Sequence, residues 1–366
     1  MTSDLFLAGM LLVSLILYVL TGGADYGAGV WSLLARGSKG RAHRALIDRA
    51  IAPIWEANHV WLILVVTILF AGFPLAYAAI STTLHLPLTA LLVGIVLRGS
   101  AFVFRTHDAK PVSERDASQV FWSWIFAGSS ILAPLMLGTT IGAIASGRLT
   151  HRPATFFDSF VAPWLAAFPL LVGCFALALF TYLAAIYLIF ESRDRTLQDD
   201  FRRRALWCWF LVSAIGLVVL YRSRAGAPEI YDGLMSTTGG RLTLALTTVA
   251  GLVSLAGLFR RWFPLARAAA AAQVALIILG WSASQYPYVI PPDITLAEAA
   301  APESTLRLLI WSLVFGGLVL FPSLYYLYKI FKPHALFESP VPEQANCPPS
   351  DILSDKSGPP EHERQG

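Results

Sequence analysis

Long apolar runs separated by short polar stretches set the pattern of this chain. Nine of them are long enough to span a bilayer, at approximately 5–35, 50–80, 83–105, 117–147, 160–190, 203–223, 240–259, 264–286 and 303–331. About 20 residues rising ~1.5 Å each cover the hydrocarbon core. The pattern predicts an all-α, polytopic membrane protein with nine transmembrane helices over residues 1–332. The first run has no basic residue ahead of it and no small-residue cleavage pattern behind it, so it reads as a retained helix rather than a signal peptide. Residues 333–366 are rich in Pro, Ser, Glu and Asp. Such a segment buries too little apolar surface to offset chain entropy, which predicts a disordered cytoplasmic tail.

The polar connections carry an orientation. Arg36, Lys39, Arg41, Arg44 and Arg49 lie between the first two runs, and Arg105, Lys110 and Arg115 between the third and fourth. Arg193, Arg195, Arg202, Arg203 and Arg204 lie between the fifth and sixth, Arg260, Arg261 and Arg267 flank the seventh turn, and Lys329 and Lys332 close the ninth run. The alternate connections are poorer in Lys and Arg, and residues 287–302 have none; Arg148, Arg152, Arg222, Arg224 and Arg241 are the main exceptions. The positive-inside rule then places the N-terminus outside and the C-terminus inside.

Composition agrees with a membrane protein. Of 366 residues, 56% are hydrophobic and only 14% charged, against about 25% charged in soluble domains. The net charge of +4 follows from clustered loop residues and does not point to nucleic acid. Cys174, Cys208 and Cys347 are scattered and odd in number, which argues against a disulfide framework or a zinc site.

Against that apolar background a few polar residues stand out. The run Ile51 to Pro74 carries Trp55, Glu56, Asn58, His59 and Trp61 near its start. At helical spacing Trp55, Glu56 and His59 share a face, with Asn58 beside Trp55 and Trp61 beyond it. The first run ends in Thr21-Gly-Gly-Ala-Asp-Tyr-Gly-Ala-Gly29, whose Gly23 and Gly27 form a GxxxG step suited to close helix contact. Packing does not require Asp25. The third run carries Arg98 and Arg105 seven residues apart, hence on one face with Phe102. Arg105 suits a boundary position, while Arg98 lies about two turns deeper, ~10 Å by the helical rise. Counted in the same way, Glu56 has a similar depth and Asp25 lies ~15 Å in. Two acids and an arginine on three consecutive helices predict a polar cluster open to the cytoplasm. Intramembrane charges either neutralise one another or mark an ion route, and both readings stay open here. Tyr286 and Tyr288, beside the Pro-rich 287–302 loop, fit an interfacial aromatic belt.

Other chemistries find no ligand set. Glu56-x-x-His59 has the spacing used in di-iron bundles, but no second copy occurs. Haem needs axial His, Cys or Met ligands; only His59 and His85 lie in or near spanning runs, which predicts that this chain alone holds no haem. There is no P-loop and no dinucleotide fingerprint.

The segments GADYGAGVW, RAIAPIWEANHVWLI, FAGFPLAYAA, VLRGSAFVFR, FAGSSILAP (126–134) and QYPYVIPPDITLAEAAAPESTL resemble, in order, subunit II of the cytochrome bd-type quinol oxidases. The resemblance runs from the first helix to the ninth. It implies two four-helix bundles plus one additional helix, in a bacterial inner membrane. It also implies a partner, subunit I, of similar fold, which carries haems b and d and the quinol site. The complex would oxidise quinol and reduce dioxygen to water, with subunit II bracing the haem-bearing subunit and supplying part of a cytoplasmic proton path. The family precedent allows a quinone held here as a structural lipid, and small accessory subunits. Family members commonly carry Asp at the position of Glu56 and Gln or a similar residue at that of His59. A proton-coupled secondary transporter and a scaffold without a proton role are the competing classes. A transporter would favour a second cluster in a matching repeat, which the fifth to ninth runs lack.

Overall fold

The apolar runs coil into helices because the bilayer leaves the backbone no other hydrogen-bonding partner. The computed structural model describes residues 2–35, 40–51, 55–107, 117–149, 155–192 and 194–331; the tail expected at 333–366 lies outside them. In chain order the elements are α1 (Ser3–Leu34), α2 (Gly40–Ile51), α3 (Trp55–Gly72), α4 (Pro74–Thr83), α5 (His85–His107), α6 (Ala117–Ala145), α7 (Phe156–Phe160) and α8 (Ala167–Glu191). There follow α9 (Arg195–Gly226), α10 (Pro228–Ser236), α11 (Thr238–Phe259), α12 (Phe263–Gln285), β1 (Tyr288–Ile290), β2 (Ile294–Thr295), α13 (Leu296–Ala299) and α14 (Glu303–Phe331).

Among the described residues eight helices are long and apolar enough to cross a membrane, or nine if the bent α3–α4 pair counts as one span. The protein is all-α and polytopic. Helices α1, α3, α5 and α6 form one bundle, and α8, α9, α11 and α12 the other; α1 and α6 pack on α8 to join them, while α14 lies against α3 and α1. The joint is tight because α1 has no side chain there. A Cβ on Gly27 would fall 2.0 Å from the main-chain oxygen of Phe180.

The second run differs from the single helix expected over 50–80. It bends by 116° between α3 and α4. Pro74 explains the bend: it takes the first position of α4, and Phe73 before it leaves helical geometry at φ −135° and ψ 60°. The carbonyl of Gly72 instead accepts the N–H of Ala301 at 2.9 Å. That bond ties the bend to the 287–302 segment, where the antiparallel β1–β2 pair leads into α13. Phe73, Ala76, Ile80, Ile290, Ile294 and Leu306 bury together there, giving a small core at the end opposite the basic loops.

Candidate functional site

Arg98 is the largest side chain among those almost wholly buried, 1% exposed, and α5 carries it into the middle of the first bundle. Its Nη2 lies 2.9 Å from Oδ1 of Asp25 and donates to the main-chain oxygen of Asp25 at 3.0 Å. Because that proton points at the main chain, Oδ1 receives charge attraction without an aligned hydrogen bond. Nε donates to Oγ of Ser130 on α6 at 3.2 Å. The guanidinium faces are covered by Tyr26 and Phe126, with ring centroids 4.8 and 5.1 Å from Cζ. Each contact offsets part of the cost of taking a cation out of water.

The neighbouring polar groups extend this pair. Tyr18, buried, donates its hydroxyl to that of Tyr26 at 3.3 Å. His59 faces Tyr18, with ring centroids 6.4 Å apart. Asn58, also buried, donates to the main-chain oxygen of Thr21 at 3.4 Å. That bond sets the register of α3 against α1. Glu56 precedes Asn58 by about 3 Å of helical rise, which brings its main chain level with the turn between Thr21 and Asp25. The side chains of Trp55 and Glu56 lie outside the described residues. Glu56 is the second described residue of α3. Trp61 turns toward the additional helix instead, its ring 6.3 Å from that of Phe321 on α14.

The charges continue toward the basic end. Arg105 pairs with Asp48 of α2 and lies 4.5 Å from the Phe126 centroid, so the two arginines share one ring. Arg105 is thus paired rather than simply reaching for the boundary. His43, buried, approaches Asp200 of α9 at 3.6 Å, and Arg204 lies over the rings of Trp31 and Phe201. Asp48, Ser130, Tyr18 and Tyr26 escaped the sequence reading. Only Asp48 left a signal, next to the apolar pair Leu46 and Ile47 that α2 buries.

The second bundle is built differently. Tyr182 and Ser254 share a hydrogen bond of 2.7 Å, and Trp209 donates to the main chain of Gly251 at 2.8 Å. An apolar cavity of about 450 Å³ lies between its helices and reaches Leu15 and Val19 of α1. Leu217 of α9 and Leu252 of α11 line the cavity and are also exposed, so it opens sideways between those helices. Two buried polar atoms on its α12 wall, Gln273 Oε1 and Trp281 Nε1, have no hydrogen-bond partner among the described residues. No group of three His, Cys, Asp or Glu gathers among the described residues in the manner of a metal site.

Comparison with known proteins places this architecture. Residues 3–331 match the family model for cytochrome bd terminal oxidase subunit II. A putative cytochrome bd menaquinol oxidase subunit II of Bacillus subtilis is 24% identical over 322 residues, covering 86% of this chain and 91% of that protein. The cytochrome bd ubiquinol oxidase subunit 2 of the same organism is 25% identical over 300 residues, covering 78% and 83%. In fold, the chain is similar to a chain in the structure of bd oxidase from Geobacillus thermodenitrificans, with a TM-score of 0.76, 22% identity, and coverage of 91% of this chain and 100% of that one. With a match that spans nearly all the described helices, the chain belongs to the cytochrome bd terminal oxidase subunit II family, a component of quinol oxidase complexes.

Proposed function

We propose that this subunit carries protons from the basic end of the first bundle toward a haem-bearing subunit I, and braces that partner. The observation behind this is the Asp25–Arg98 pair, almost fully buried and level with the main chain of Glu56. An isolated charge at this depth would be neutralised or expelled, whereas intramembrane charges that persist as a pair mark ion and proton routes. The positive-inside rule makes the basic end cytoplasmic. A reporter active only in the cytoplasm, fused after Lys332, should therefore be active, and a silent but expressed fusion would reverse the orientation. From Asp25 a proton would leave this chain on the side where α3, α5 and α14 expose Ile63, Val96, Trp311 and Phe315. That apolar face suits a membrane-embedded partner, which supplies the haems b and d.

The cavity of the second bundle supports a separate binding role. Its sideways opening and apolar walls, with Gln273 and Trp281 of α12 among the lining residues, suit an isoprenoid quinone held as a structural lipid.

Glu56 tests the proton path in the assembled complex. Glu56→Gln keeps shape and hydrogen bonding but removes the exchangeable proton. Turnover should fall about tenfold, or ~1.4 kcal/mol on the limiting barrier, with haem spectra unchanged. Glu56→Asp should regain much of the rate. A Gln variant that assembles, keeps its haems and turns over at the parental rate would leave the subunit as a scaffold.

A further inference from the structure

The segment 126–134 of α6 resembles its family in sequence. In the structure two of its residues touch Arg98. Phe126 covers one face of the guanidinium and Ser130 accepts from Nε. The Ser130 hydroxyl is itself fixed. Its proton goes to the main-chain oxygen of Phe126 at 2.7 Å, which leaves a lone pair for the arginine. Space for that hydroxyl comes from α1, since a Cβ on Gly29 would lie 2.1 Å from Ser130 Oγ. Two helices therefore shape one small acceptor site around Nε.

The consequence concerns Asp25. A guanidinium normally meets a carboxylate with two parallel N–H groups, and the edge formed by Nε and one Nη is a favourable one. Here Ser130 occupies Nε and the Asp25 main chain takes the aligned proton of Nη2. The carboxylate feels the cation at 2.9 Å, yet Oδ1 accepts no aligned N–H.

We infer that Ser130 is a positioning residue, which keeps Arg98 from clamping Asp25 through two aligned hydrogen bonds and so leaves the carboxylate available to the proton path. Aligned hydrogen bonds to a carboxylate favour its charged form and oppose protonation. With Ser130 removed, Nε loses its acceptor and the guanidinium can turn its Nε–Nη2 edge to Asp25. Proton acceptance then slows, although Arg98, Asp25 and the surrounding fold are unchanged. This inference rests on the proton-path reading of Asp25.

The experiment uses the assembled oxidase with Ser130→Ala, Ser129→Ala and Asp25→Asn made singly. Ser129 is also buried and donates to its own helix at Ile125, without touching Arg98. Ser130→Ala should lower kcat about fivefold, the kinetic equivalent of one ordinary hydrogen bond. KM for quinol should not change, and the solvent deuterium isotope effect on kcat should rise as proton transfer becomes limiting. Ser129→Ala should behave as the parent in all three measures. Parental kcat and isotope effect in Ser130→Ala, with Asp25→Asn impaired, would overturn the positioning role alone. The same defect in both serine variants would reduce Ser130 to packing. Parental turnover in Asp25→Asn would instead overturn the proton path through Asp25.

Discussion

The first bundle buries an arginine paired with an aspartate; among the described residues the second buries neutral polar groups and leaves part of its interior unfilled. Both are four-helix units joined along α1, α6 and α8. The Arg98 cation recruits a counter-charge, a serine and two aromatic faces, and these fill the space around it. In the second bundle Tyr182 bonds to Ser254, which donates to the main-chain oxygen of Ala266 at 2.9 Å; these links are neutral, and a cavity of about 450 Å³ remains. Desolvation explains the contrast. A buried charge must be surrounded closely to be tolerated, whereas an apolar space open to lipid can wait for a lipid-like occupant. One layout therefore holds a buried charge pair in one half and an apolar cavity in the other.

Breaking the charged half should have the largest effect. Arg98→Met leaves Asp25 buried without its cation, a change that typically costs 3–5 kcal/mol. The assembled complex should become undetectable by size-exclusion chromatography of solubilised membranes. Adding Asp25→Asn to Arg98→Met should restore part of the assembly by removing the stranded charge. Full assembly of the single variant would show that the pair does not hold the first bundle.

An apolar replacement in the other half should be far milder. Gln273→Leu removes a buried side chain whose Oε1 has no partner among the described residues. Thermal stability should change by no more than the ~1 kcal/mol of one hydrogen bond, in either direction. Quinone recovered per complex, measured by lipid extraction and mass spectrometry, should fall severalfold. Unchanged quinone content would place that lipid elsewhere, and a collapse as large as that of Arg98→Met would erase the contrast between the halves.

The contrast was half legible in the sequence. Charges inside apolar runs are conspicuous, so Asp25 and Arg98 could be placed on the first and third runs at comparable depth before any contact was visible. Their direct partners were less visible. Ser130 and Tyr26 are ordinary residues in membrane helices, and only the approach of α6 to Gly29 gives the serine its place. Asp48 sat in a basic connection read for topology, although the helix around it buries Leu46 and Ile47. The bend at Pro74 was signalled by the proline, but continuous hydrophobicity outweighed it. The cavity had no sequence signature, because it is a gap between side chains from several helices. A missing contact leaves no residue type to recognise.

The smallest expected effect lies outside both bundles, in the segment that caps the bend, and it is set by pH. Thr295 and Glu298 form a reciprocal cap on α13. The Glu298 carboxylate accepts the Thr295 N–H at 2.9 Å and its hydroxyl at 2.7 Å, while the Glu298 N–H donates back to that hydroxyl at 3.3 Å. The Thr295 backbone N–H, and then its hydroxyl, hold Glu298 below the usual carboxylate range. A carboxylate with a depressed folded value stabilises its fold fully above the unfolded glutamate value of about 4.3 and loses that contribution as pH falls through the folded value. Glu298→Gln retains an acceptor for the cap but not the charge. At pH 7 hydrogen exchange across residues 287–302 of the complex should be about twofold faster in the variant, in keeping with a solvent-exposed interaction. Compared at the same pH below the folded value, the two proteins should exchange alike. Equal exchange at pH 7 would mean that the cap depends on its geometry alone. A variant that also loosened α3 or α4 would show that the Ala301–Gly72 tie carries the cap's stability into the first bundle.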